Sequence, residues 1–138
     1  MKPLSVLLIV FSGVVVQSHA MDGKTLGHLI SIPVIEGTGI YTSVRMIQTG
    51  QANSTAAAVT SLALIGLNAG VGAYTLFGNS DHYGTLRTVH RVAGMLTSAA
   101  AVWLTVSAWR NPEMNRVDRG ISTGYSVMTA VPVVMFSF

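Results

Sequence analysis

His28 and His90 stand in an otherwise apolar chain, each close to the start of a long apolar segment, residues 26–48 and 85–109. His28 is two residues into its segment and His90 five into its own. At a rise of about 1.5 Å per residue, two such helices bring both imidazoles to a similar, shallow depth at one membrane face. Neutral imidazole is a good donor to iron, and two at matched depth can ligate one haem iron from both sides. The bland alternative is a pair of interfacial histidines reaching back to water. His19, near the N-terminus, and His82, in the turn before the third segment, fall outside the pattern, although His82 would replace His28 if the register shifts.

The residues around His90 read Leu86-Arg87-Thr88-Val89-His90-Arg91-Val92-Ala93-Gly94-Met95. Gly94 is one turn after His90 and shares its face, which Thr97 and Ala101 continue. A flat macrocycle lying on a helix needs such small residues. Arg87 and Arg91 are cations that can pair with haem propionates, Arg87 first because it shares the His90 face, with Lys24 also at that end. Glu36 lies near the middle of the 26–48 segment, where a bare carboxylate is costly, so it should be neutralised or paired. It reads either as a proton-relay or quinol-binding group, or as a buried acid satisfied by Asn68, Thr97, Ser98, Tyr125 or Thr129.

The elements that position these residues are four apolar segments, 26–48, 55–77, 85–109 and 121–136. Each is long enough to cross the hydrocarbon core, the last being the shortest. Thr49 to Asn53, Gly78 to Gly84 and Arg110-Asn111-Pro112-Glu113 break them, and Asn-Pro is a strong helix stop. Short connections make sequential helices antiparallel neighbours. The expected fold is all-α, a transmembrane four-helix bundle formed by residues 21–138. Residues 1–20 carry Lys2, an apolar run and Ser18-His19-Ala20, which predicts a cleaved signal peptide or a retained first helix acting as signal anchor. Gly66 and Gly70 read as a close-packing face, used within the bundle in preference to dimerisation. The scattered methionines, Met95 included, read as gap-fillers, and Trp109 as an interfacial anchor.

Composition supports that frame. Of 138 residues only 9% are charged, against about 25% in soluble domains. With a mean hydropathy of +0.55, this excludes a soluble enzyme and a disordered chain. The absence of cysteine excludes disulfides, thiolate metal sites and covalently attached haem. The eight basic residues are scattered, so no nucleic-acid partner is expected. Arg45, Arg110, Arg116 and Arg119 outnumber Lys24, Arg87 and Arg91, which puts the connections after residues 48 and 109 in the cytoplasm. The mature N-terminus is then outside, in a bacterial-type inner membrane.

Val89-His90-Arg91-Val92-Ala93-Gly94 is similar to the His-Arg-x-x-Gly helix start of the b-type membrane cytochromes built as four-helix bundles. These include ascorbate-reducible cytochromes and the haem-b subunits of bacterial oxidoreductases. Lys24-Thr25-Leu26-Gly27-His28 resembles their other ligand helix. The resemblance covers the four segments in hydropathy and about a dozen residues in detail. It implies non-covalent haem b, with electrons crossing the membrane or passing between a quinone and a partner. Members with two haems carry a histidine pair near each face. Here the cytoplasmic half has no histidine, so one haem near the outer face is implied.

The expected function is electron transfer through one haem b, ligated by His28 and His90, for a larger membrane complex or a periplasmic redox protein. The alternative is a cofactor-free structural or assembly subunit of a membrane complex. A proton or solute conduit through Glu36 is the third reading.

Overall fold

A computed structural model describes the backbone of residues 23–77 and 81–136, and the side chains of 31–75 and 81–131. The expected signal segment, 1–20, lies outside the described residues. The chain is all-helical, with α1 at Gly23–Gln48, α2 at Ala52–Phe77, α3 at Tyr83–Arg110 and α4 at Arg116–Phe136. It divides into two units, Met1–Val34 and Ile35–Phe138, and α1 contributes to both.

Local chemistry sets the helix ends. Gly50 adopts a φ of 67° and its N–H donates to the Ile47 carbonyl at 3.0 Å. A left-handed residue just past a helix is inexpensive only for glycine. Asn111 is extended, as a residue before proline must be, and α3 stops at Arg110. The fourth helix starts five residues earlier than its apolar pattern, at Arg116 and not at 121. The reason is capping: the Asn115 side chain accepts the Asp118 N–H at 2.9 Å, so a polar first turn is stable. Pro33 lies inside α1, where it cannot supply the usual helical N–H donor.

Adjacent helices run antiparallel. On α2 and α3, Gly72 meets His90, Asn68 meets Gly94, and the Thr97 hydroxyl donates to the Leu64 carbonyl at 3.3 Å. On α3 and α4, Ser98 donates to the Thr129 carbonyl at 2.9 Å and Thr105 to the Ser122 carbonyl at 2.7 Å. From residue 35 onward, α1 meets α2 and α4, with Gly39 against Ile65 and Tyr125.

The interior is built from small and polar groups. Ala57, Ala58, Ala101 and Ala108 are buried with Thr42, Ser43, Ser54, Ser61, Thr97, Ser122 and Thr129. Bulky apolar side chains, among them Val34, Ile40, Val59, Leu67, Val102 and Val127, are exposed. Soluble proteins favour the opposite distribution. Of the four helices expected to span, α2 over Ala52–Thr75 and α3 over Tyr83–Arg110 are long and apolar enough to cross a membrane among the described residues.

Candidate functional site

His90 is half-buried on the face of α3 that packs on α2. Its ring fits there because residue 72 is glycine: a Cβ at Gly72 would stand 2.9 Å from Cε1 and 3.3 Å from Nδ1. The ring lies beside the Asn68 backbone as well as Gly72, both on α2. Gly94 continues this face, with the Asn68 Oδ1 3.8 Å from its Cβ position, and Thr97 follows with its bond to Leu64. The small-residue face predicted after His90 is therefore real, and α2 covers it. Arg87 and Arg91 flank His90 and are exposed. Arg87, three residues before His90 on the same helix, lies nearer the start of α3. His28 is on α1, but its side chain lies outside the described residues.

Two observations decide whether the described residues fit a haem. Neutral imidazole is a donor to iron, and His90 presents one on a helix face continued by Gly94. Two exposed guanidiniums at the same end suit propionates. The donor chemistry at His90 therefore fits. Among the described residues no group of three or more His, Asp or Glu is arranged to hold a metal ion.

Glu36 is on α1, and its Oε1 is buried without a hydrogen-bond partner among the described residues. Of its five expected partners, Tyr125 is close enough to feel its charge. Thr97 and Ser98 bond elsewhere, to the Leu64 and Ala93 carbonyls and to the Gly94 and Thr129 carbonyls. Gly66 and Gly70 do not pack within the described helices, since a Cβ at either would meet nothing within 4 Å. Met95 is exposed, so it fills no gap there, whereas Met46 and Met114 are buried.

Sequence reasoning missed a polar cluster where α1 turns into α2 and α3 into α4. Asp118, only 2% exposed, accepts from Tyr41 at 2.8 Å and from Arg45 at 3.2 and 3.3 Å. The Asn111 amide donates to Thr49 and to Ser54, both at 2.9 Å, and its carbonyl side-chain oxygen accepts the Glu113 N–H. Arg119 donates to the Asn111 backbone carbonyl at 2.8 Å and lies over the Trp109 ring. The available signal was a buried-type asparagine and aspartate close to two helix junctions. In sequence Asn111 reads as a helix stop and Arg45 as a topology marker, and neither reading points to Asp118.

No family model matches the chain, and no curated protein or solved structure is similar to it.

Proposed function

We propose that the chain is a membrane-embedded four-helix bundle that carries one haem b near its outer end and transfers electrons for a membrane complex or a periplasmic partner. The observation that carries this reading is His90: a half-buried imidazole, packed on Gly72 of α2, on a helix apolar enough to span. The apolar exterior and the small, polar interior support the membrane setting. His90 and His28 would hold the iron, with Arg87 and Arg91 as cations for the propionates. A bound haem would supply one-electron chemistry between its ferric and ferrous states. The chain's own contribution is to hold the His90 ring, which packs on Gly72 of α2. The experiment is an absorption spectrum of purified, reduced protein expressed with added haem. A b-type α-band that disappears in His90→Ala is expected, and its absence from the wild-type protein would overturn the reading.

One observation favours a second reading, a cofactor-free structural or assembly subunit. The nitrogen-bearing edge of the His90 ring lies against Gly72, which is ordinary interhelical packing. On that reading His90→Ala lowers thermal stability and leaves no spectral trace, while Gly70→Leu, on the exposed side of α2, breaks association with partner subunits.

A further inference from the structure

Gly39, one turn after Glu36 on α1, packs on the Tyr125 ring of α4 and on Ile65 of α2, and three buried oxygens on these helices have unfilled hydrogen-bonding capacity. They are Oε1 of Glu36, Oγ of Ser61 and the Tyr125 hydroxyl, all buried and without a hydrogen-bond partner among the described residues. Ser61 and Tyr125 are fully buried residues. Ser61 neighbours the Tyr125 hydroxyl, and Glu36 is near enough to act on it electrostatically. The ion pair found among the described residues, Arg45 with Asp118, does not involve Glu36. Tyr125 is the titratable group facing Glu36, and Ser61 is the polar group that α2 brings to the cluster.

Orphaned buried oxygens cost roughly 1–3 kcal/mol each, and proteins usually satisfy them with bound water that makes two to four hydrogen bonds. Three oxygens from three helices suit such a water. A larger guest is disfavoured because α1 lies hard against the Tyr125 ring: a Cβ at Gly39 would stand 2.5 Å from Cζ. We propose that Glu36, Ser61 and Tyr125 hold a shared water and form a proton-accepting site within the apolar part of the protein. A proton from bulk solvent passes through the shared water, which gives one proton to the carboxylate as it takes up another, so the carboxylate becomes a carboxyl whose O–H donates back to the water. Ser61 and Tyr125 hold the water by their hydroxyls. No carbon bond forms or breaks, and no oxidant or reductant is required. The site is separate from His90 and does not depend on haem.

Infrared difference spectroscopy on the purified full chain in lipid nanodiscs tests it, comparing acid with alkaline buffer in H2O and in D2O. The wild-type protein should show a carboxyl C=O band that grows on acidification and shifts in D2O. Glu36→Gln should lose it. Tyr125→Phe and Ser61→Ala should each move it, because the hydrogen bonding around the shared water changes. A wild-type spectrum identical to that of Glu36→Gln would overturn the site. An unmoved band in both hydroxyl variants would overturn the shared water. The wild-type D2O shift keeps the test independent of whether any variant folds.

Discussion

The end of the protein where helices turn and the layer around Glu36 bury polar groups in opposite ways. At the turns, both Asp118 oxygens and every polar side-chain atom of Asn111 have partners, and Nε of Arg119 is the buried exception. In the layer of Glu36, Ser61 and Tyr125, each residue has a buried oxygen without a partner among the described residues. A filled network fixes helix ends and specifies one arrangement. An unfilled one is a poor way to stabilise a fold, and its presence in the interior is what marks the layer for a mobile ligand. The difference also separates two uses of charge. Asp118 has a counterion, Arg45, that remains 40% exposed at the helix end. Among the described residues, Glu36 has no ion-pair partner.

The sharpest way to break the contrast is to empty the filled side. Asp118→Ala removes bonds to Tyr41 and Arg45 and should cost about 2–3 kcal/mol, since Arg45 can hydrate at the surface. Thermal unfolding followed by circular dichroism in detergent reads this, and a loss below a few tenths would show that the network is idle. Asn111→Ala should come next, at roughly 2 kcal/mol, because it strands the buried Ser54 hydroxyl beside Thr49. Its effect should not add fully to that of Asp118→Ala, because Arg119 and Asn115 link the two sites. Gly72→Ala tests the outer end. The new methyl would stand 2.9 Å from the His90 ring, and displacing the ring should cost roughly 1–3 kcal/mol. Nuclear magnetic resonance of the His90 ring should report the displacement, and an unmoved signal would mean that α2 yields instead. Gly66→Ala should have the smallest effect, within about 1 kcal/mol and toward stabilisation, because its methyl meets nothing and alanine favours a helix. A large loss there would mean that this side of α2 is covered by another chain.

Much of the helical framework was legible because apolar length and the Asn111-Pro112 and Gly50 breaks are local signals. The start of α4 was not, since its first turn is polar and stabilised by one asparagine cap. His90 and its small-residue face were visible from spacing, but not the neighbour that fills it. Spacing on one helix shows which residues share a face and is silent on what that face meets. Gly72 and Asn68 therefore stayed hidden until α2 was paired with α3. The Gly66 and Gly70 motif misled for the same reason, since a small-residue stripe looks alike whether it faces inward or outward. Spacing offered five partners for Glu36, Tyr125 among them, and could not choose between them, because the level of a residue along a helix does not say which neighbour its face meets. The Arg45–Asp118 pair was not legible because Arg45 reads as a topology marker and Asp118 precedes the helix start expected at 121.

The turn at Gly50 has a consequence for how this chain is made. Between Gln48 and Ala52 only residues 49–51 connect α1 to α2. Three extended residues reach about 10 Å, close to the axis-to-axis distance of packed helices. The two helices therefore cannot drift apart laterally unless their ends unwind. They must form as a hairpin, in which the Gly39 side of α1 meets Ile65 of α2 before α4 brings Tyr125 to it.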